Sequence, residues 1–263
     1  MAMVNPNAMI AQQPKFAFKP MIESFQFGVF IKQKIEWLEV LTGCETPNKY
    51  LVYEMNQAKM RVGQPMISCK EESSCLARQC LKGSARPLTM NCTNLFNNQS
   101  LCLQMEKPYK MTMLCINRPE MKVRYTEDGN FIDLGKVVDN WDFCNFSFGV
   151  LDAQGTQMFH VQASCMQLGF HCKCPCDSCE TIVFEVYKGK KSDGNRWPDL
   201  VKTGKNCVAN AMTDADNFMV PFGQNATFAE RAMLVATALF IDYMMFEVNP
   251  KKNKNSGRGG MSF

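Results

Sequence analysis

The chain has 263 residues, of which 46% are hydrophobic and 21% are charged, and these proportions exclude a globally disordered protein. The 29 lysines and arginines exceed the 25 acidic residues by four, and residues 248–263 hold four bases and no acid. Residues 1–247 therefore carry 25 bases and 25 acids, and such a neutral body argues against a dedicated nucleic-acid-binding protein. Only His160 and His171 are available, so a histidine base or a three-histidine metal site is poorly supplied.

The cysteine content indicates a cellular compartment. Fourteen cysteines would suggest a disulfide framework in a secreted protein. However, the longest apolar run in the first twenty residues is Ala8–Ala11, which is too short for a secretory signal peptide. We therefore expect a reducing, cytosolic environment in which most of the cysteines are thiols.

The patterns along residues 1–222 predict a flexible N-terminal lead segment, then a helix, then a series of strands. Residues 1–27 contain three prolines and no sustained period, and are predicted to be a flexible lead. A helix is predicted from Phe30 to Leu41, because Ile31, Ile35 and Leu38 recur at helical spacing. From Tyr50 to Phe222 the apolar period becomes two, and turn residues separate about a dozen short runs, as expected of a β-sandwich or β-barrel.

The end of the chain predicts one apolar helix and a basic tail. Residues Phe228–Glu247 contain strong helix formers and no Gly or Pro, and they are apolar on all sides. Such a helix is either a buried core helix or a membrane span, although Asp242 would cost roughly 2.5–3.5 kcal/mol within a bilayer. Residues 248–263 are predicted to be a basic, disordered tail, so the chain divides into 1–27, 28–247 and 248–263.

The segment Asp214–Asn225 has some features of a calcium-binding loop. Carboxylates stand at its first and third positions, Asp214 and Asp216, but Met219 and Asn225 occupy positions where an EF-hand has Gly and Glu. The segment is therefore either a weak Ca²⁺ site or a turn in which the two aspartates bond local amides.

A second motif is a dense run of cysteines. The run C-x-C-x-C-x-x-C could bind zinc, carry acyl chains near a membrane, or form a cysteine-rich turn, and it comprises Cys172, Cys174, Cys176 and Cys179. Another group, Cys69, Cys75 and Cys80, is interpreted as part of a polar loop.

Three segments, taken in order, resemble the phospholipid scramblase family. They are Ile35–Gly43 with Asn48-Lys49-Tyr50, Thr213–Phe218, and Leu239–Glu247. The resemblance runs from about Gln33 to Glu247 and implies a tubby-like fold, which is a closed barrel of about twelve antiparallel strands around a central hydrophobic C-terminal helix. A short N-terminal helix completes the expected mainly β fold.

The resemblance also implies a set of site residues. The family's calcium-binding segment corresponds to ligands at Asp214, Asp216, Phe218, Val220, Phe222 and Asn225. The family's palmitoylated cysteine run maps near Met111–Pro119, where this chain has only Cys115. Cys172–Cys179 corresponds to a second cysteine cluster of the family.

The function implied by the resemblance is ATP-independent, calcium-activated movement of phospholipids between membrane leaflets, without covalent chemistry. The expected partners are membrane phospholipids and additional proteins but no nucleic acid, and the expected location is the cytoplasmic face of the plasma membrane, with a further pool in the cytoplasm. The alternative is a non-transporting, tubby-like module that binds membrane lipid or protein. A zinc-dependent enzyme would require the four cysteines from Cys172 to Cys179 to converge on one metal ion.

Overall fold

A computed structural model describes residues 17–34, 47–73, 81, 85–97, 99–113, 115–171, 179, 181–203 and 217–246. Within these residues twelve antiparallel strands form one closed barrel. The strands are β1 Gly28–Lys34, β2 Lys49–Met55, β3 Arg61–Glu72, β4 Leu88–Asn94, β5 Ser100–Lys107, β6 Glu120–Glu127, β7 Asn130–Asn140, β8 Asn145–Asp152, β9 Gln157–Ser164, β10 Thr181–Lys188, β11 Arg196–Thr203 and β12 Asn217–Pro221. The helices are α1 Phe18–Ser24, α2 Leu168–His171 and α3 Phe228–Met245, with a 3₁₀ turn at Lys191–Asp193.

Each strand pairs with the strands that precede and follow it, and the barrel closes where β1 pairs with β12. In that closing pair Ile31 lies opposite Phe218 and Val29 lies opposite Val220. Burial alternates along the strands, as in β4, because successive side chains point to opposite faces. The mainly β fold with a closed twelve-stranded barrel is therefore confirmed.

The helix α3 fills the interior of the barrel. Every residue from Glu230 to Tyr243 is buried, including the all-apolar stretch Ala232–Ala236. A capping box begins the helix, since Thr227 accepts a hydrogen bond from the Glu230 amide while Glu230 accepts one from the Thr227 amide. Of the two predicted environments the protein core is the one observed. Among the helices described, none combines the length and apolar character that a membrane crossing requires.

The predicted helix at Phe30–Leu41 is wrong at its beginning. Residues Gly28–Lys34 form strand β1, whereas residues 35–41 lie outside the described part of the chain. Val29 and Ile31 are buried with the period of two, and the strand forms ladders with β2 and β12 on its two sides. Pairing with two neighbours overrides the local helical spacing of the isoleucines.

A short helix occupies part of the predicted N-terminal lead. Phe18, Met21 and Ile22 of α1 are buried, and the Phe18 ring packs edge-on against Phe228 at the start of α3. The Arg231 guanidinium fixes the end of α1 by donating to the carbonyl oxygens of Ile22, Glu23 and Phe25 at 2.8–3.0 Å.

The interpretation of Cys69 as a loop residue is also wrong. Cys69 is buried in β3 directly opposite Cys92 of β4, and the two form a disulfide. The sequence could not pair them, because register across two strands is set by the turn and the buried face rather than by cysteine spacing. Cys75 and Cys80 lie outside the described residues.

Candidate functional site

The two ends of the barrel differ, and both can be defined by α3. A connection of six residues joins β12 to α3, so the helix begins at the end where β12 finishes; we call this the entry end. Eighteen residues at 1.5 Å each carry the helix about 27 Å to the opposite end, which we call the exit end. The odd-numbered strands run toward the exit end, and Lys202 near the end of β11 meets Asp242 near the end of α3 there.

Five charged side chains are buried around the last turns of α3. We call them the exit cluster, and they are Glu71, Arg86, Lys107, Lys202 and Asp242. Strands β3, β5 and β11, the β3–β4 connection and α3 each supply one of them. Isolated charges are too costly to bury, so their partners define the site.

One half of the exit cluster surrounds the Asp242 carboxylate. Lys202 Nζ lies 2.6 Å from Asp242 Oδ1, and the Tyr50 hydroxyl donates to Oδ2 at 2.8 Å. The Lys202 ammonium also lies 4.1 Å from the ring centroid of Phe246 and 5.0 Å from that of Phe218. The aspartate that interrupts an otherwise apolar helix is thus neutralised inside the protein.

The other half joins Arg86 to Glu71 and Tyr243. Arg86 Nη2 lies 2.8 Å from Glu71 Oε1, and Arg86 Nε donates to the Tyr243 hydroxyl at 2.7 Å. Asn48 donates to Glu71 Oε2 from both its backbone and its side chain. Lys107 Nζ donates to the Arg86 carbonyl oxygen at 2.7 Å and lies 6.0 Å from the Tyr243 ring centroid.

The exit cluster holds three cations and two carboxylates at the carboxyl end of a helix. The last carbonyl groups of a helix carry partial negative charge, which favours nearby cations. Chemically, the cluster locks α3 to four different parts of the barrel wall. Arg86 and Lys202 would be suited to a phosphate group only if Glu71 or Asp242 moved away, because these carboxylates already engage them.

The predicted calcium ligands were compared with this geometry. Phe218 and Val220 belong to β12, which has a paired strand on each side, and the Val220 carbonyl oxygen points at Gly28 of β1. Carbonyl groups two residues apart in a strand are separated by about 6.8 Å, whereas two oxygens on one Ca²⁺ are at most about 5.2 Å apart. In this conformation Phe218 and Val220 cannot bind one ion through their carbonyl groups.

The rest of the predicted ligand set is divided along the chain. Phe222 and Asn225 follow β12 at the entry end, Phe222 buried and Asn225 exposed. Asp214 and Asp216 lie outside the described residues and precede β12 in the sequence, so their role stays a prediction. The described part of the set therefore does not fit a single calcium site. Within the described ranges, no group of three or more His, Cys, Asp or Glu residues is arranged to hold a metal ion.

The predicted cysteine sites are only partly described. Cys172, Cys174 and Cys176 lie outside the described residues, and Cys179 is half-buried. Cys115 is exposed in the connection between β5 and β6 at the exit end. The acylation and zinc predictions stay predictions.

Sequence reasoning missed the exit cluster. The ion pairs Glu71–Arg86 and Lys202–Asp242 join residues 15 and 40 positions apart, and the Tyr50–Asp242 hydrogen bond joins residues 192 positions apart. One signal was present, since an aspartate in an apolar helix requires a buried partner if the helix is a core helix.

Comparisons with known proteins identify relatives over most of the chain. The chain is 26% identical to phospholipid scramblase 1 of Homo sapiens over 258 residues, which cover 95% of this chain and 73% of the relative. It is 27% identical to phospholipid scramblase 2 of Bos taurus (84% of this chain, 68% of the relative). It is 26% identical to phospholipid scramblase 1 of Rattus norvegicus (87% and 62%), so it spans a little under two thirds of that protein. No solved structure matches the chain significantly. The sequence model of the Scramblase family matches residues 5–248, and the chain therefore belongs to that family.

Proposed function

We propose that this chain moves phospholipids in both directions between the leaflets of a membrane, without ATP and without covalent chemistry. The observation that carries the proposal is the family match over residues 5–248, together with relatives that are named phospholipid scramblases along 84–95% of this chain. Membrane phospholipids are the proposed substrates, and the cytoplasmic face of the plasma membrane is the proposed location.

The proposal assigns calcium control to Asp214 and Asp216 alone. The described strand residues Phe218 and Val220 do not fit one ion, whereas Asp214 and Asp216 supply two carboxylates of the kind that a weak Ca²⁺ site uses. Calcium sensitivity is therefore a separate element of the proposal, and lipid movement does not depend on it. Cys115 is proposed as an acylation site because its thiol is exposed.

A second candidate function is a lipid- or protein-binding module without transport activity. The packed interior favours it, because α3 and the buried side chains of the strands fill the barrel. A barrel filled in this way provides no path for a lipid headgroup through its centre.

The test is a scrambling assay in liposomes that contain purified full-length protein and a fluorescent phospholipid. Dithionite bleaches the outer leaflet only, so continued loss of the protected signal measures movement from the inner leaflet. The expected result is loss of the protected signal without ATP, stimulated by Ca²⁺ in the parent protein but not in Asp214→Ala. The control Glu72→Ala removes an exposed carboxylate at the end of β3 and should behave as the parent.

Each outcome separates the candidates. Scrambling that does not respond to Ca²⁺ would retain transport and reject the role of Asp214. Vesicles that contain folded protein and keep their protected signal would reject transport in favour of the binding module.

A further inference from the structure

The most exposed large apolar side chains of the described residues lie at one end of the barrel. Three connections at the exit end expose eight of them: Tyr109, Met111, Met113 and Ile116 between β5 and β6; Trp141 and Phe143 between β7 and β8; Met166 and Leu168 between β9 and β10. Phe143 is 87% exposed and Met166 is 78% exposed. All eight are at least 50% exposed.

The three connections lie side by side. The Arg118 guanidinium at the end of the β5–β6 connection is 2.6 Å from Asp139 of β7, and the Asp139 amide donates to the Pro119 carbonyl oxygen. The Cys165 amide of the third connection donates to the Cys144 carbonyl oxygen of the second. The exposed side chains therefore form one surface, which we call the exit-end apolar surface.

The connections that carry this surface have internal hydrogen bonds. In the first, the backbones of Met113 and Ile116 exchange two hydrogen bonds, and the Asn117 side chain donates to the Met111 carbonyl oxygen. In the second, Asp142 Oδ1 accepts from the amides of Cys144 and Asn145 beside Phe143. Preformed turns hold apolar side chains outward at low entropic cost on binding.

The charges at this surface are compatible with a phospholipid bilayer. In its described connections Lys110 and Arg118 are paired with Glu120 and Asp139 of the adjoining strands, and the Asp142 oxygens are engaged by the turn, so the surface carries little unbalanced charge. The entry end exposes six large apolar side chains, none of them more than 60% exposed: Phe27, Met60, Val62, Phe96, Phe131 and Ile132. Among the described residues, the five large apolar side chains with the highest exposed fractions all lie at the exit end.

We propose that the exit-end apolar surface inserts into the interface of a phospholipid bilayer and docks the barrel with its exit end toward the membrane. The side chains stand on three connections beyond the ends of the strands, where they are accessible to the acyl layer of a bilayer. Trp141 and Tyr109 have the amphipathic rings that favour the headgroup region. The choice of a bilayer as the partner rests on the proposed function, whereas the existence of the surface does not.

The experiment measures flotation of the full-length protein with vesicles of phosphatidylcholine, and with vesicles in which one fifth of the lipid is phosphatidylserine. The docking variant is Met113→Ser/Phe143→Ser/Met166→Ser. The matched control at the other end is Phe27→Ser/Met60→Ser/Val62→Ser, which replaces three exposed apolar side chains. Both variants should unfold at the parent's temperature, because all six side chains are exposed.

The expected result is that the parent and the control bind both kinds of vesicle, while the docking variant partitions at least about tenfold less. High salt should not release the parent, since apolar insertion is not screened. Equal partitioning of the docking variant and the parent would overturn the proposal. So would a parent dimer that the docking variant dissociates without any change in vesicle binding, because a second copy would then be the partner.

The same preparations in the scrambling assay separate this inference from the proposed function. Vesicle binding that depends on these loops, without lipid movement by the parent, would retain docking and reject transport. Lipid movement that the docking variant carries out with unchanged vesicle binding would retain transport and reject docking.

Discussion

Replacing Asp242 by Asn keeps the shape of the side chain and removes its charge. Lys202 then faces a neutral amide, although its side chain is only 4% exposed and lies 2.6 Å away. Removing one member of a buried ion pair typically costs about 3–5 kcal/mol, because the remaining charge has lost its compensation. Since whole domains have free energies of unfolding of about 5–15 kcal/mol, Asp242→Asn should remove a large share of the stability.

Urea denaturation of the parent and three variants tests this reasoning. The surface pair Arg196–Asp199, whose side chains are 45% and 29% exposed, provides the control, and Asp199→Asn should cost less than about 1 kcal/mol. The double variant Lys202→Met/Asp242→Leu removes both charges, so no uncompensated charge stays buried. It should therefore be more stable than Asp242→Asn, although the Tyr50 hydroxyl loses this acceptor. The reasoning about the buried ion pair would be refuted if Asp242→Asn lowered the free energy of unfolding by less than about 1 kcal/mol, or if the double variant were less stable than Asp242→Asn.

Three further predictions concern other parts of the barrel. Arg231→Met should release α1, because it removes charged hydrogen bonds to three carbonyl groups, and each such bond contributes about 1.5–3 kcal/mol. Faster amide hydrogen exchange in residues 18–25 would demonstrate the release. The control Lys188→Met replaces an exposed lysine and should leave this exchange unchanged. Burial raises the pKa of the Cys102 thiol to about 12. Iodoacetamide at neutral pH should therefore alkylate the exposed Cys115 and Cys144 in the native protein and leave Cys102 unmodified until urea is added. Modification of Cys102 before urea is added would contradict its burial. Partial burial tends to raise the pKa of the Glu120 carboxyl, but Lys110 and Lys136 hold this pKa below its ordinary 4.5 in the folded protein. The stability that Glu120 contributes is therefore fully present above pH 4.5 and is lost as the pH falls through the pKa of Glu120 in the folded state. Glu120→Gln should therefore lose less stability than the parent between about pH 6 and about pH 3, and parallel curves for the two proteins would argue against the assignment.

The local period of apolar residues was sufficient to predict most of the elements. Within the region where the apolar period is two, the alternating runs Tyr50–Met55 and Ile182–Val186 lie in β2 and β10, and α3 begins at Phe228 as predicted. The closure of the barrel was not accessible in this way, since it depends on β1 pairing with a strand that begins 183 residues after β1 ends (217 − 34). It was expected only from the resemblance to a family.

The error at Phe30 and the missed exit cluster have the same physical origin. Ile31 fits a helical period locally, but its environment is set by Val52 and Phe218 on the two neighbouring strands. Likewise, Asp242 becomes a favourable residue only after Lys202 is brought beside it by the sheet. Periodicity describes neighbours along the chain, whereas both outcomes depend on neighbours across the fold.

The order in which the chain is synthesised has a consequence for the barrel. The wall is built from residues 28–221, but the helix that fills it comes last, at Phe228–Met245. A nascent chain that has emerged only as far as β12 has every wall strand but no core, so its inward-facing side chains such as Val52 and Phe184 have nothing to pack against. Until the final helix emerges, such a chain exposes apolar surface that favours aggregation, and premature termination even twenty residues before Met245 would leave a wall without its central helix.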